Sequence, residues 1–238
     1  ASSTIQEVLP EIMETKESPV LLYQELPQEM PETNLLNYHG TEGGYNIEAL
    51  RIIPRVLCRV YVPAEDEQGF IFFDIHAVHE RILFEKFMKK NRHDDIQAFL
   101  IPQNITFSFQ QMKAMQNLIP VLKDMGFELE DFGPQTFLLR SAPAIFTKDN
   151  LQEILTDLAD LYLNLEVFHD PHQLKEKFWI NLACRKAIKA GEQLHAMEIE
   201  SLIKELFNCE NPFTCPHGRP TMVKMSKSEI EKKFLRRS

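Results

Sequence analysis

Phe70-Ile71-Phe72-Phe73-Asp74-Ile75-His76-Ala77-Val78-His79-Glu80-Arg81-Ile82-Leu83-Phe84-Glu85 is where this sequence changes its period. Four consecutive apolar residues read as a short strand buried on both faces. Asp74 ends it, and residues 75–90 continue as a helix with Ile82, Leu83, Phe87 and Met88 as its apolar stripe. His76 and Glu80 lie four apart, roughly 40° around one helical face, so both can reach one ion. Glu85 is nine residues from His76, about 180° around the helix, and is expected not to share that ion. It reads as a residue behind the ligands, or as the i,i+4 partner of Arg81. Asp74, at the end of the strand, can approach from another direction. Far downstream, Cys215-Pro216-His217 on a Pro-bounded loop offers a thiolate and an imidazole able to chelate one ion. A lone His-x-x-x-Glu is more often a solvated surface pair, and Cys-Pro-His a turn with a buried thiol. Together they make a candidate metal site.

Around this segment the elements mix without a steady strand–helix–strand alternation. Val56, Cys58, Val60 and Val62 alternate with Leu57, Arg59 and Tyr61, a strand period, and Ile105–Phe109 alternates again. Residues 110–125 read as a helix stopped by Gly126, with a kink or break expected at Pro120. Phe127–Phe132 and Thr136–Arg140 flank a Gly133-Pro134-Gln135 hairpin turn. Asp149 is expected to cap a helix reaching about Leu165, and Asp170-Pro171 to open another from about His172 to Ala190. Met197–Phe207 is amphipathic, 208–220 is an irregular loop, and Thr221–Met225 is a strand. Ser226-Lys227-Ser228-Glu229 is a capping box opening a last basic helix. The fold class is therefore α+β, or mixed α/β.

The formal charge of −9 is unevenly placed. Nine glutamates against Lys16 alone put −8 of it in residues 1–50 and leave the rest nearly neutral. Residues 1–47, rich in Glu, Pro, Ser and Thr, read as a disordered acidic linker or tail. Val20-Leu21-Leu22-Tyr23 is its one candidate docking strip. The remaining 51–238 carries too little positive charge to hold nucleic acid strongly by charge alone. No apolar run reaches the roughly 18–20 residues of a membrane span. No secretory leader is evident, and a start at Ala1 reads as a fragment or a processed product. Four cysteines, Cys58, Cys184, Cys209 and Cys215, in a chain of this length read as reduced thiols or ligands in an intracellular protein.

Other chemistries fail on spacing. A helical zinc-protease signature starting at His79-Glu80 needs histidine where Leu83 stands. The zinc-deaminase Pro-Cys-x-x-Cys is missing. Neither a P-loop nor Gly-x-Gly-x-x-Gly occurs among only eight glycines.

Asp74-x-His76-Ala77-x-x-Glu80-x-x-x-x-Glu85 resembles the endonuclease motif in the C-terminal domain of the MutL family of DNA mismatch repair proteins. Ala183-Cys184-Arg185 is similar to the family's second motif, and Cys215-Pro216-His217-Gly218-Arg219-Pro220 to its third. Phe234-Leu235-Arg236 resembles a short Phe-x-Arg element near the family's C-terminus. Ile75 stands where the family usually has Gln, a position chelation does not need. The resemblance implies a metal-dependent endonuclease that nicks one strand of duplex DNA, with Asp74, His76 and Glu80 catalytic. His76, Glu80, Cys184, Cys215 and His217 would surround the metal with Asp74 beside them, and Glu85, Arg185 and Arg219 would stand behind. Read without the family, Cys184 is a small core hydrophobe, like Cys58 and Cys209. Arg219 can be either a phosphate contact or a loop-fixing salt bridge.

The same resemblance implies Zn2+ in a structural or regulatory role and Mn2+ as activator. ATP would enter only through an N-terminal ATPase region absent from this chain and joined by a linker like residues 1–47. Gln97-Ala98-Phe99-Leu100-Ile101-Pro102 resembles the family's sliding-clamp-binding motif, with Gln97, Leu100, Ile101 and Pro102 as its contacts. The other reading of those six residues is a linker into a second subdomain. Implied partners are duplex DNA, a second copy (a bacterial-type homodimer, or a heterodimer if eukaryotic), the sliding clamp and the mismatch-recognition protein MutS, with no membrane. The implied location is cytoplasm and nucleoid, or nucleus if eukaryotic. The architecture implied is a dimerisation and metal-site subdomain from 48–96 and 173–238, with a regulatory subdomain inserted at 97–172. The alternative is a non-catalytic, zinc-stabilised dimerisation and clamp-binding module.

Overall fold

Phe70–Phe73 lies at the centre of the molecule's first sheet, hydrogen-bonded on both sides. The computed structural model describes residues 50–89, 95–164 and 170–236. The acidic segment 1–47 and its Val20–Tyr23 strip lie outside the described residues. Strands β1 (Arg51–Ile52), β2 (Tyr61–Asp66), β3 (Gly69–Asp74) and β7 (Met222–Ser226) form an antiparallel sheet in the order β1-β2-β3-β7. In register, Phe72 faces Pro63 on one side and Val223 on the other. One face of this sheet, Val62, Ala64, Ile71, Phe73 and Met222, is buried against helices α1 (Ile75–Lys89) and α5 (Ala196–Leu206). The expectation that 70–73 is buried on both faces is corrected: Ile71 and Phe73 face the core, whereas Phe70 and Phe72 lie on the outer face and are only partly buried. Ile75 belongs to that core, so the residue that departs from the family pattern points away from the candidate site.

Helix α1 starts where the sequence places it because Asp74 caps it. The Asp74 Oδ1 accepts the amides of His76 and Ala77, both at 3.0 Å. The second sheet is β4 (Ile96–Thr106), β6 (Thr136–Pro143) and β5 (Glu128–Asp131), in the order β4-β6-β5. It packs with α2 (Phe109–Asp124), α3 (Leu151–Asn164) and α4 (Pro171–Lys186) around a second core. Leu83 and Phe87 of α1 enter this core as well, where Phe87 lies 4.9 Å from the Trp179 ring of α4. Helix α1 therefore serves both cores, and its central turns are buried almost all round. The last helix, α6 (Lys227–Lys233), opens on the expected Ser226/Glu229 capping box.

Several local expectations are corrected. The alternation at 56–60 is not a strand: Cys58 (φ 46°) and Arg59 (φ 72°) take left-handed conformations, turning the chain so that β2 starts at Tyr61. A two-residue period cannot reveal left-handed backbone at residues other than glycine. Pro120 does not break α2, which runs through it. Pro120 is exposed, so water can satisfy the carbonyl that its missing N–H leaves free. The strand expected at 105–109 begins far earlier, at Ile96, and ends at Thr106, where Ser108 caps α2. Asn150, not Asp149, offers the capping oxygen at the start of α3, while Asp149 pairs with Lys186 at 2.9 Å. Helix α4 stops at Lys186 rather than near Ala190, because Ala187 turns extended.

Candidate metal centre

Every segment of the site is tied to α1. Glu80, midway along it, has no exposed surface although it is a carboxylate. On one side its Oε1 lies 3.1 Å from His76 Nε2, and on the other its Oε2 lies 3.4 Å from His217 Nδ1. Arg219 Nη2 closes over both oxygens at 3.3 Å. Two sets of donor atoms result, each within 4.8 Å of one another: His76, Glu80 and Cys184, and Glu80, Cys215 and His217. Glu80 belongs to both.

The supporting chain explains why these side chains meet. Cys184 sits in the last turn of α4, whose opposite face (Phe178, Leu182, Ala183) is core. Cys215 to Gly218 forms a tight turn in which the Gly218 amide donates to the Cys215 carbonyl at 2.9 Å. Gly218 adopts φ +82°, which a side chain would strain. Arg81 reaches across to the Thr214 carbonyl at 2.6 Å, holding the strand of chain that leads into this turn. Glu85 accepts the amides of Glu210 and Asn211 at 2.8 and 3.1 Å and lies outside both donor sets. Its function is to anchor the loop that carries Cys215 and His217. Glu85→Ala is expected to cost about 2 kcal/mol of stability, since two loop amides lose a charged acceptor. Weaker metal uptake in titration should accompany the loss, and an unchanged denaturation midpoint would contradict the anchoring role.

Asp74 also lies outside the two donor sets, with one oxygen occupied in capping α1. Arg185 turns away from the centre and ties α4 to α3, with Nη2 2.6 Å from Glu153 and Nη1 paired to Asp157. Gln97–Pro102 lies within β4. Between the pairs Ala98/Ser141 and Gln103/Leu139, residues 99–102 face Arg140 alone and bulge out of the sheet. Leu100 is fully exposed and Ile101 is 83% exposed.

Two residues the sequence did not single out for the site, His79 and Ile188, also shape it. His79 Nδ1 accepts the Ile188 amide at 3.1 Å, and the Ile188 carbonyl accepts from His76 Nδ1 at 2.8 Å. The i,i+3 spacing of His76 and His79 was the one available signal, and Ile188 carried none.

The charges are strongly coupled. Contact with Cys184 and then Glu80 pushes His76 up to about 10. Cys215 and Glu80 push His217 up to about 9. Burial alone would raise the Glu80 carboxyl, but His217, His76 and Cys184 outweigh it and hold it well below the carboxylate range. Burial, followed by Lys86, pushes His79 down to about 4. The donor set fits a metal on two grounds. It combines thiolate, imidazole and carboxylate, the ligands of zinc-type ions. It also leaves the buried His217 Nδ1 with no well-formed hydrogen bond among the described residues, only the 3.4 Å contact to Glu80 Oε2, so coordination would give that nitrogen a close partner.

The architecture is a mixed α+β domain whose central helix gathers a thiolate, imidazole and carboxylate cluster. This chain belongs to the MutL family: residues 56–194 match the model of the MutL C terminal dimerisation domain. It is 34% identical over 185 residues to the DNA mismatch repair protein MutL of Halothermothrix orenii, covering 76% of this chain and 29% of that protein. To the DNA mismatch repair protein MutL of Staphylococcus aureus it is 38% identical over 178 residues, covering 74% of this chain and 26% of the relative. The chain spans less than a third of the length of these relatives.

Proposed function

We propose that this domain is a metal-dependent endonuclease that nicks one strand of duplex DNA during mismatch repair. The observation that carries the reading is the buried Glu80 shared by two donor sets. A dimerisation domain has no need of a fully buried carboxylate between two histidines and two cysteines. His76, Glu80 and Cys184 would hold one ion and Glu80, Cys215 and His217 another, with Zn2+ favoured by the thiolates and Mn2+ as the activating ion. A bound divalent ion supplies Lewis-acid chemistry and charge stabilisation at a phosphodiester. The chain's own groups orient the reaction. The hydrogen bond from Nδ1 to Ile188 directs His76 Nε2 at the centre. Arg219, half-exposed beside Glu80, offers a guanidinium to a phosphate oxygen. Asp74 brings a further carboxylate to the start of α1.

The test is nicking of supercoiled plasmid with Mn2+. Asp74→Asn keeps a good helix cap and removes only the charge. It is expected to fold normally and to lose nicking by at least about a hundredfold. Wild-type nicking by this variant would remove Asp74 from the reaction.

The remaining partners follow the same reading. The apolar outer side of the first sheet, with Phe72 beside the half-exposed Val223, suits a second copy of the chain. MutS and an ATPase region would act through the full-length protein, in cytoplasm and nucleoid. The bulge at Leu100 and Ile101 offers two free apolar side chains to a sliding clamp. Replacing both by Asp is expected to change stability by no more than about 0.5 kcal/mol while abolishing clamp binding in a pull-down. Undiminished capture would remove the bulge from the interface.

A further inference from the structure

We propose that His79 is a positioning residue for the metal centre, acting through the Ile188 backbone to fix the direction in which His76 presents its Nε2. The proposal rests on the metal reading above. Ile188 is gripped from both of its backbone polar groups: its N–H by His79 Nδ1 at 3.1 Å, its carbonyl by His76 Nδ1–H at 2.8 Å. The two histidines are three apart, so their rings leave adjacent turns on the same side of α1. With Nδ1–H committed to a carbonyl, His76 turns its other nitrogen toward the site, 3.1 Å from Glu80 Oε1. A carbonyl behind a ligating imidazole is the usual means of setting its tautomer and its rotation. That carbonyl must itself be held.

Ile188 lies in neither helix, since α4 ends at Lys186 and α5 begins at Ala196. Its side chain packs against the core under the first sheet, which retains the residue but does not set the direction of its carbonyl. The His79 hydrogen bond supplies that. It also steadies the end of α4, where Cys184 stands four residues before Ile188. His79 itself belongs to neither donor set, so its contribution passes entirely through Ile188.

The test compares wild type, His79→Leu and His79→Asn in the whole chain. Leu keeps the bulk and lacks an acceptor, whereas Asn restores an acceptor close to Nδ1. Two quantities are read: Co2+ affinity from visible absorption, and amide hydrogen exchange at Ile188 in the metal-free protein. His79→Leu is expected to bind Co2+ about 10–100-fold more weakly, and His79→Asn to stay within about threefold of wild type. Exchange at Ile188 should accelerate in the Leu variant only. Wild-type Co2+ affinity in His79→Leu overturns the positioning role alone, as does an Asn variant no better than Leu. Failure of the wild type to take up Co2+ overturns the metal reading itself.

Discussion

Glu80→Gln is expected to disable both donor sets at once. The carboxylate is wholly buried and stands between His76, His217 and Arg219. In the metal-free protein at pH 7 its removal leaves buried positive charge without a counter-charge, at a cost of about 3 kcal/mol. The two histidines then fall back toward their ordinary range and shed protons, which limits the loss. Urea denaturation in the presence of EDTA measures this term. Metal titration measures the other: Glu80→Gln should lose uptake at both sets, whereas His217→Ala should spare the set built by His76, Glu80 and Cys184. Wild-type stoichiometry in Glu80→Gln would refute the shared ligand.

Metal uptake should depend steeply on pH. In the metal-free protein His76 is pushed up to about 10 and His217 to about 9, so both are charged at neutrality. An ion can bind only by displacing those protons. Affinity should therefore rise by about tenfold per pH unit for each histidine displaced, flattening above about 9 for one and 10 for the other. Calorimetry in buffers of different ionisation enthalpy counts the protons released, and a flat profile from pH 6 to 9 would contradict the coupling. The metal-free fold responds in the opposite sense. Because these folded-state values lie above the unfolded value of about 6.5, the histidines' stabilising contribution is complete below that and is lost as pH rises through 9 and 10. Glu80 is depressed instead, so its contribution is present above the unfolded carboxylate range and is lost only in strong acid. The metal-free domain should thus be hardest to unfold between about pH 5 and 6.5, while the metal binds most tightly above that window.

The strand-to-helix reading at 70–85 is legible because it depends on local rules: an apolar run, a capping aspartate and a helical stripe. The same locality explains the failures. At 56–60 the alternation continues through a turn made by Cys58 and Arg59, whose left-handed backbone leaves no mark in residue type. At Ile96–Gln103 the strand exists because β6 pairs with it, a partner some 40 residues away. In the candidate site, His76 and Glu80 follow from helical spacing, and Cys215 with His217 from chelate spacing. Cys184 follows from neither, since its neighbours in α4 read as core, and only the family motif picks it out. Glu85 could be excluded from the ligands by angle. Its real partners, the amides of Glu210 and Asn211, are backbone groups that no pattern of side chains announces.

Helix α1 makes its decisive contacts with chain more than a hundred residues away, at Ile188, Thr214 and Arg219. Each contact closes a long loop, and such loops close late because their entropy must be overcome before the contact rewards it. The order of assembly is thereby set. A chain emerging during synthesis forms the helix early with His76 and Glu80 on it, but has no Cys215 or His217 to complete the second donor set. Any loading of that second set therefore waits until residue 217 has been made and its loop has closed onto α1, and a copy halted short of that point is left with the first set alone.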